Sequence, residues 1–259
     1  KPPILLVPIK LPGGPMELTN NTVLITGGAS GIGFALARAL VDFNNTVLIC
    51  GRDPEKLAMA RSEIPELITF RCDITNSHDL SELQAELSSC YPKLNMLINN
   101  AGIQQYLDFT TLDIDEKKIT QEIEINLTAQ IKLINQLLPQ LTSQENSAII
   151  FLGSALGKVA KHSAPVYSAT KAAIHSFAKS IRHQLANTNT KVFEVIPDLV
   201  QTNMTRDRVY EKKMQPDTLA HSVLEGIKKN YETILVGRTQ LLFNLHRFLP
   251  GIANKIINK

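Results

Sequence analysis

Tryptophan is absent from the 259 residues, and cysteine occurs only three times. Cys50, Cys72 and Cys90 are widely spaced and odd in number, which argues against a disulfide framework and against a zinc ribbon. A reducing compartment, the cytoplasm, is therefore expected, with Cys50 and Cys72 packing as small hydrophobes at the ends of apolar runs. The six histidines show no ligand spacing, so no metal is expected. No apolar run approaches the roughly 18 residues that a membrane-crossing helix needs. Neither sign of charge dominates: 27 Lys and Arg against 24 Asp and Glu leave +3, with no basic block or aromatic stripe to suit nucleic acid. Internal repeats and low-complexity linkers are also missing after residue 15. What remains, 44% hydrophobic and 20% charged, is ordinary composition for one globular α/β domain.

Residues 1–15 stand apart. They hold five prolines, and their apolar stretch at 4–7 is too short for a signal-peptide core of about 7–15 residues. They read as a flexible extension, with Met16 as the natural start and the folded domain running from there to residue 259.

Seven short β-branched runs follow, at 23–25, 46–50, 68–72, 96–98, 148–152, 192–196 and 233–236. Most are continuously apolar, the pattern of strands covered on both faces. Helical patterns separate them at 33–43, 54–63, 77–90, 113–138, 166–187 and 216–229. Asp53 before Pro54 is an N-cap followed by an N1 proline. Within 113–138, Ile119, Ile123, Leu127, Ile131, Ile134 and Leu138 recur at helical spacing and predict the packing face, with Pro139 ending the helix. Such alternation predicts a single-domain, Rossmann-type doubly wound parallel sheet of about seven strands, with helices on both faces. Ligands then bind beyond the carboxyl ends of the strands.

Directly after the first strand comes Thr26-Gly27-Gly28-Ala29-Ser30-Gly31-Ile32-Gly33. Glycines there let the backbone approach a pyrophosphate, and the helix N-terminus offers N–H groups and partial positive charge. A tight turn without a ligand has the same look, but its place between strand and helix points to nucleotide. The second strand ends at Gly51 and Arg52, where NAD-binding sites usually carry an acid. Arg52 supplies a forked cation suited to a 2′-phosphate, so NADP(H) is favoured, with NAD(H) still possible. Asp53 would weaken that preference unless its cap role turns it towards the helix.

Asn99-Asn100-Ala101-Gly102 follows the fourth strand, Ser154 follows the fifth, and Tyr167 and Lys171 sit at i and i+4 on the next helix. An ammonium beside a phenol favours phenolate and predicts a tyrosine pKa drawn down from about 10. A serine hydroxyl nearby can donate to a developing oxyanion.

Together these motifs resemble the short-chain dehydrogenase/reductase family over residues 18–240. The resemblance implies a catalytic set of Asn126, Ser154, Tyr167 and Lys171. Tyr167 exchanges a proton with the substrate oxygen as hydride passes to or from the nicotinamide. Lys171 binds the nicotinamide ribose and lowers the tyrosine pKa, Ser154 polarises the carbonyl, and Asn126 holds a relay water. It implies coenzyme contacts from Gly27, Ser30, Gly31, Ile32 and Gly33; from Arg52, Asp73 and Ile74; from Asn100, Ala101 and Gly102; and from Tyr167 and Lys171. Pro197, Val200 and Thr202 complete the set by receiving the carboxamide.

One departure is Asp198, where the family has glycine after the proline; it puts the local turn, or a negative charge near substrate, in question. The resemblance places specificity in residues 203–215, a polar lid, and near the C-terminus. His162 either faces the pocket or lies on the surface. The amphipathic tail, 241–259, packs on the pocket or on a partner subunit, or else lies on a membrane surface. With the Ser154–Lys158 segment, it is similar to the DltE-like reductase branch. A homodimer or homotetramer built on helices 113–138 and 166–187 is implied. The expected activity is interconversion of a carbonyl and an alcohol of a small molecule. The alternatives are a coenzyme-binding regulatory or assembly module, and an epimerase or dehydratase on the same scaffold.

Overall fold

Each apolar run becomes a strand in the computed structural model, which describes residues 9–111, 114–208 and 212–258. The strands are β1 (Thr22–Thr26), β2 (Thr46–Gly51), β3 (Ile68–Arg71), β4 (Leu94–Asn99), β5 (Ser147–Leu152), β6 (Thr190–Ile196) and β7 (Thr233–Leu235). All pair in parallel, in the order β3-β2-β1-β4-β5-β6-β7. Chain order therefore reverses between β1 and β4, which opens a crevice at their carboxyl ends. The helices are α1 (Gly31–Val41), α2 (Pro54–Glu63), α3 (Ser77–Cys90), α4 (Glu116–Ile123), α5 (Ala129–Thr142), α6 (Pro165–Gln184), α7 (Pro216–Lys228), α8 (Thr239–Phe248) and α9 (Pro250–Ile257). No described helix is long and apolar enough to cross a membrane.

Continuous hydrophobicity along the strands has its reason in two cores. On one face Val23, Ile25, Val47, Ile49 and Ile98 meet α1 and α7 through Leu36, Leu40, Leu219 and Val223. On the other, Leu24, Leu48, Leu97, Ile149 and Phe151 meet α3, α5 and α6 through Leu83, Leu133 and Ile174. Cys50 and Cys72 are buried in this second core, as expected of small hydrophobes, and Cys90 is exposed.

The long helical pattern departs from expectation. A π-helical turn at Glu124–Thr128 joins α4 to α5. The buried positions are Glu122, Ile125, Asn126, Ala129, Gln130, Leu133, Ile134, Leu137 and Leu141. Of the anticipated stripe only Ile134 is buried; Ile123 is 40% exposed, and Ile119, Leu127, Ile131 and Leu138 are half-buried. Polar side chains displaced that stripe from the inward face because they bind a loop's backbone, as described below. Nor does Pro139 end the helix, which runs on to Thr142. Its missing N–H would have served Asn135, an exposed residue whose carbonyl water can satisfy.

The N-terminal extension is also less free than expected. Residues 1–8 lie outside the described residues, but Lys10 bridges to Tyr231, and Leu11 exchanges hydrogen bonds with Asn230 at 2.8 Å each. Leu11 is buried in the first core, upstream of Met16. A Leu11→Ala variant should therefore lose about 2 kcal/mol of stability in urea unfolding, the low end of buried leucine truncations. An unchanged midpoint would make this segment a passive arm after all.

Candidate active site

Thr26, the last residue of β1, organises the crevice. Its hydroxyl accepts from the backbone N–H groups of both Asn100 and Ala101 at 3.0 Å. The Asn100 amide donates to the carbonyls of Thr26 at 2.9 Å and Gly27 at 3.1 Å. The glycine turn is thus bolted to the loop after β4. Gly27 and Gly31 take φ of 63° and 57°, values that a side chain would strain. Gly33 is needed for close approach: a Cβ there would lie 2.5 Å from both the Asn100 amide nitrogen and the Gly27 carbonyl.

The start of α1 fits a phosphate. Helices α2, α3 and α4 are capped by their own Asp53, Asn76 and Asp115 side chains, whereas Ser30 at the N-cap of α1 makes no such bond. The first-turn N–H groups of Gly31, Ile32 and Gly33 lack carbonyl partners one turn back within the helix and suit a phosphate. Thr202 leans over this turn, its methyl 3.2 Å from where a Gly31 Cβ would stand. Val200 is pinned by a bridge to Met214. Together with Pro197, these residues bring the loop after β6 to the same end of the sheet.

At the end of β2, Arg52 is exposed and its guanidinium lies 3.9 Å from the Asp73 carboxylate. Asp53 accepts from the N–H groups of Glu55 and Lys56, so the cap does turn it towards α2. Asp73 Oδ1 accepts from Thr75, at 3.0 Å from its N–H and 2.8 Å from its hydroxyl, and Ile74 is buried beside it.

Ser154 leaves β5 at the head of a short 3-10 turn, Ala155–Gly157, and accepts from the Leu156 N–H at 3.1 Å. Glycine at 157 lets that turn lie against α6, since a Cβ there would stand 2.8 Å from the Lys171 backbone. The turn and helix thereby bring Ser154 beside Tyr167, close enough for its hydroxyl to favour the phenolate. Lys171 Nζ donates to the Leu152 carbonyl at 2.6 Å and lies 5.6 Å from the centre of the Tyr167 ring. The expected three-residue set is therefore assembled.

Its electrostatics differ from expectation. Burial pushes the Tyr167 phenol up to about 12, against the lowering effects of the Ser154 hydrogen bond and Arg208, with Glu122 adding to the rise. Burial likewise lowers Lys171 to about 8, opposed by Glu194. Desolvation of both groups outweighs the pull of ammonium on phenol, so Tyr167 holds its proton firmly at neutral pH.

Asn126 sits in the π turn, where insertion of one residue re-aims side chains. Its Oδ1 accepts from the Ile103 N–H and its Nδ2 donates to the Ile103 carbonyl, both at 2.8 Å, with a further 3.3 Å bond to the Thr170 hydroxyl. It is one rung of a ladder. Gln130 donates to the Ala101 carbonyl at 3.0 Å, and Glu122 accepts from the Gln105 N–H at 2.8 Å. Residues 122, 126 and 130 thus grip 105, 103 and 101 in turn, and Gly102 passes within reach because a Cβ would crowd the Asn126 oxygen at 3.2 Å. Sequence reasoning missed Glu122 and Gln130. The signal was there: three polar residues at i, i+4 and i+8 inside an apolar helix.

Two loops close the cleft. Arg208 reaches from the segment after β6 to Gln104 at 3.0 Å and to the Tyr106 hydroxyl at 3.4 Å, on the loop after β4. The rest of the expected lid includes residues 209–211, which lie outside the described residues. Asp198 poses no charge to the cleft: its carboxylate accepts from Arg238 Nε at 2.8 Å and from the Leu199 N–H at 2.8 Å. It also keeps a negative φ, so the turn tolerates it. In the tail, Asn258 accepts from the His162 N–H at 2.7 Å and donates to the Ala160 carbonyl at 3.1 Å. His162 is therefore held at the surface, and the tail folds back on the segment leading to Tyr167.

A buried phenol beside an ammonium, at the end of the sheet that carries a turn shaped for phosphates, fits a nucleotide-dependent oxidoreductase of Rossmann architecture. The chain belongs to the short-chain dehydrogenase family, whose model matches residues 21–213. Among curated relatives, the oxidoreductase DltE of Bacillus subtilis (strain 168) is 37% identical over 230 residues, spanning 87% of this chain and 91% of that protein. An oxidoreductase of Staphylococcus aureus (strain USA300) is 29% identical, over 81% of this chain and 92% of its own length. Among solved structures, a short-chain dehydrogenase from Burkholderia cenocepacia J2315 in complex with NADP superimposes with a TM-score of 0.83 at 24% identity, covering 94% of this chain and 100% of that one. One from Streptomyces avermitilis gives 0.80 at 22%, covering 92% and 96%.

Proposed function

We propose that the protein interconverts a carbonyl and an alcohol of a small molecule with NADP(H) as coenzyme. The observation that carries this reading is the Ser154–Tyr167–Lys171 cluster, joined through the loop after β4 to an uncapped glycine turn. The nicotinamide supplies or accepts hydride when the coenzyme is bound. Ser154 donates to the substrate oxygen and orients it. Tyr167 holds the proton that the oxygen receives in reduction, and Lys171 keeps positive charge beside the phenol as that proton leaves. The Asn126 side chain is committed to Ile103 and Thr170, so a relay water at this point would use its backbone carbonyl. The half-exposed stripe on α4 and α5 supports self-association as a homo-oligomer, and three free thiols fit the cytoplasm.

A carbonyl and alcohol panel, followed by nicotinamide absorbance with each coenzyme, tests the reading directly. Turnover without net coenzyme oxidation would favour the epimerase or dehydratase alternative. Preference for NADP(H) rests on Arg52. Arg52→Ala should weaken NADPH binding about tenfold to a hundredfold, the range for a charge-assisted contact, while NADH changes by less than about twofold. Equal losses for both coenzymes would remove the 2′-phosphate contact from the scheme.

A further inference from the structure

From Val192 to Ile196, strand β6 is apolar except for one residue. Between Phe193 and Val195, Glu194 is fully buried, and its Oε1 has no hydrogen-bond partner among the described residues. Its Oε2 accepts from His175 Nδ1 at 2.7 Å. Burying a carboxylate is costly unless charge or hydrogen bonds compensate, so its surroundings matter. Glycine at 153 makes room for it: a Cβ there would stand 2.9 Å from Glu194 Oε1. Gly153 directly follows Leu152, whose carbonyl holds the Lys171 ammonium, and directly precedes Ser154. The carboxylate thus lies against the peptide that carries two members of the catalytic set.

The charges facing it have one sign. From α6 come Lys171, His175 one turn further on and Arg182; each of Lys171 and Arg182 feels the Glu194 charge. Strand β5 presents no ionisable side chain. On the β7 side Glu232 lies 3.7 Å from Arg182 and so engages that cation. Arg182 also donates to the carbonyls of Val192 and Glu232, at 3.0 Å each. Lys171, by contrast, donates to a neutral carbonyl, that of Leu152, and the nearby charge that opposes its loss of a proton is Glu194. His175 in turn lines a cavity of about 870 Å³ at the β7 edge, beside Lys179 and Glu232.

We propose that Glu194, fixed by His175, is the counter-ion that keeps Lys171 charged, a positioning pair behind the catalytic face that acts through Lys171 without touching substrate. The inference rests on the oxidoreductase reading for its consequence but not for its test. The carboxylate lies against the Leu152–Ser154 segment that holds the Lys171 ammonium and bonds the histidine one turn from it, so an uncharged isostere at 194 should let Lys171 shed its proton at lower pH. If Lys171 must be charged for turnover, the activity lost as pH rises through about 8 is then lost earlier.

The test is a titration of protein labelled with 13C at lysine Cε, with the Lys171 signal assigned by its absence in Lys171→Met. In Glu194→Gln the Lys171 midpoint should fall by about one pH unit, which is a tenfold change in its protonation equilibrium. The ratio of kcat at pH 8.5 to that at pH 6.5 should drop about sixfold. His175→Leu, which removes the donor from the half-buried end, should shift the same midpoint by a smaller amount and keeps the test open should Glu194→Gln not fold. A Lys171 midpoint unmoved in the folded variants overturns the proposal, as does a uniform loss of activity with an unmoved profile. A shifted midpoint in a protein that turns over no carbonyl or alcohol would uphold the counter-ion and defeat the oxidoreductase reading instead.

Discussion

Tyr167→Phe should reduce turnover about a thousandfold, the middle of the range for removal of a general acid, while coenzyme binding changes by less than about twofold. The argument is one of position and proton supply. Tyr167 is buried, and burial sets its pKa near 12, so in the free protein its oxygen carries a proton at any physiological pH. No other described side chain pairs a transferable proton with both Ser154 and the Lys171 ammonium. Phenylalanine keeps the ring that packs beneath Lys171, at 5.6 Å, and removes only the hydroxyl beside Ser154. Stability should move by less than about 1.5 kcal/mol, because the substitution removes one buried hydroxyl and leaves the ring in place. Single-turnover absorbance and thermal unfolding read the two effects apart. Turnover equal to that of the parent protein would refute Tyr167 as proton donor.

The proton that Tyr167 retains at neutral pH follows from the same burial that contradicts simple pairwise reasoning. From spacing, an ammonium one turn from a phenol lowers its pKa. In the fold, both groups leave water, and desolvation moves each towards its neutral form: phenol up, amine down. Sequence shows which groups are neighbours but not how much solvent they lose. The strands were legible because two covered faces demand unbroken apolar runs, and the glycine turn because few other residues allow its backbone. Asp53 as a cap was legible for a local reason: its acceptors lie two and three residues away.

Long-range polar pairings were not legible. Asp198 looked like an intrusion into a turn where the family has glycine, yet its partner Arg238 is 40 residues away, and Gly237 leaves the space for it. The helical stripe misled for a related reason. Glu122, Asn126 and Gln130 take the inward face because the loop from Ala101 to Gln105 arrives there with unpaired backbone groups. A hydrophobic-periodicity argument assumes the helix meets an apolar surface, and this one meets main chain. Leu11 likewise joined the core through Asn230, which is remote in sequence.

Gly33→Ala, a change of one methyl group, should cost coenzyme affinity about 30-fold to a thousandfold and lower the unfolding temperature as well. The added carbon would stand 2.5 Å from the Asn100 amide nitrogen and 2.5 Å from the Gly27 carbonyl, both closer than van der Waals contact allows. Neither is the free end of a flexible chain. Asn100 is held by two carbonyls, and Gly27 already occupies a conformation at φ 63° that few alternatives can replace. Overpacking of this kind costs about 1–3 kcal/mol, and displacing the Asn100 amide forfeits about one more through its hydrogen bonds. The loss falls on binding wherever the turn must hold its shape to receive a phosphate, and on folding wherever it must hold β1 against the loop after β4. Gly14→Ala is the matched control, since a methyl there meets nothing within 4 Å. Fluorescence titration with NADPH separates the two variants. Parental affinity in Gly33→Ala would mean that the glycine turn does not seat the coenzyme, because a group bound there could not be indifferent to a shifted Gly27 and Asn100.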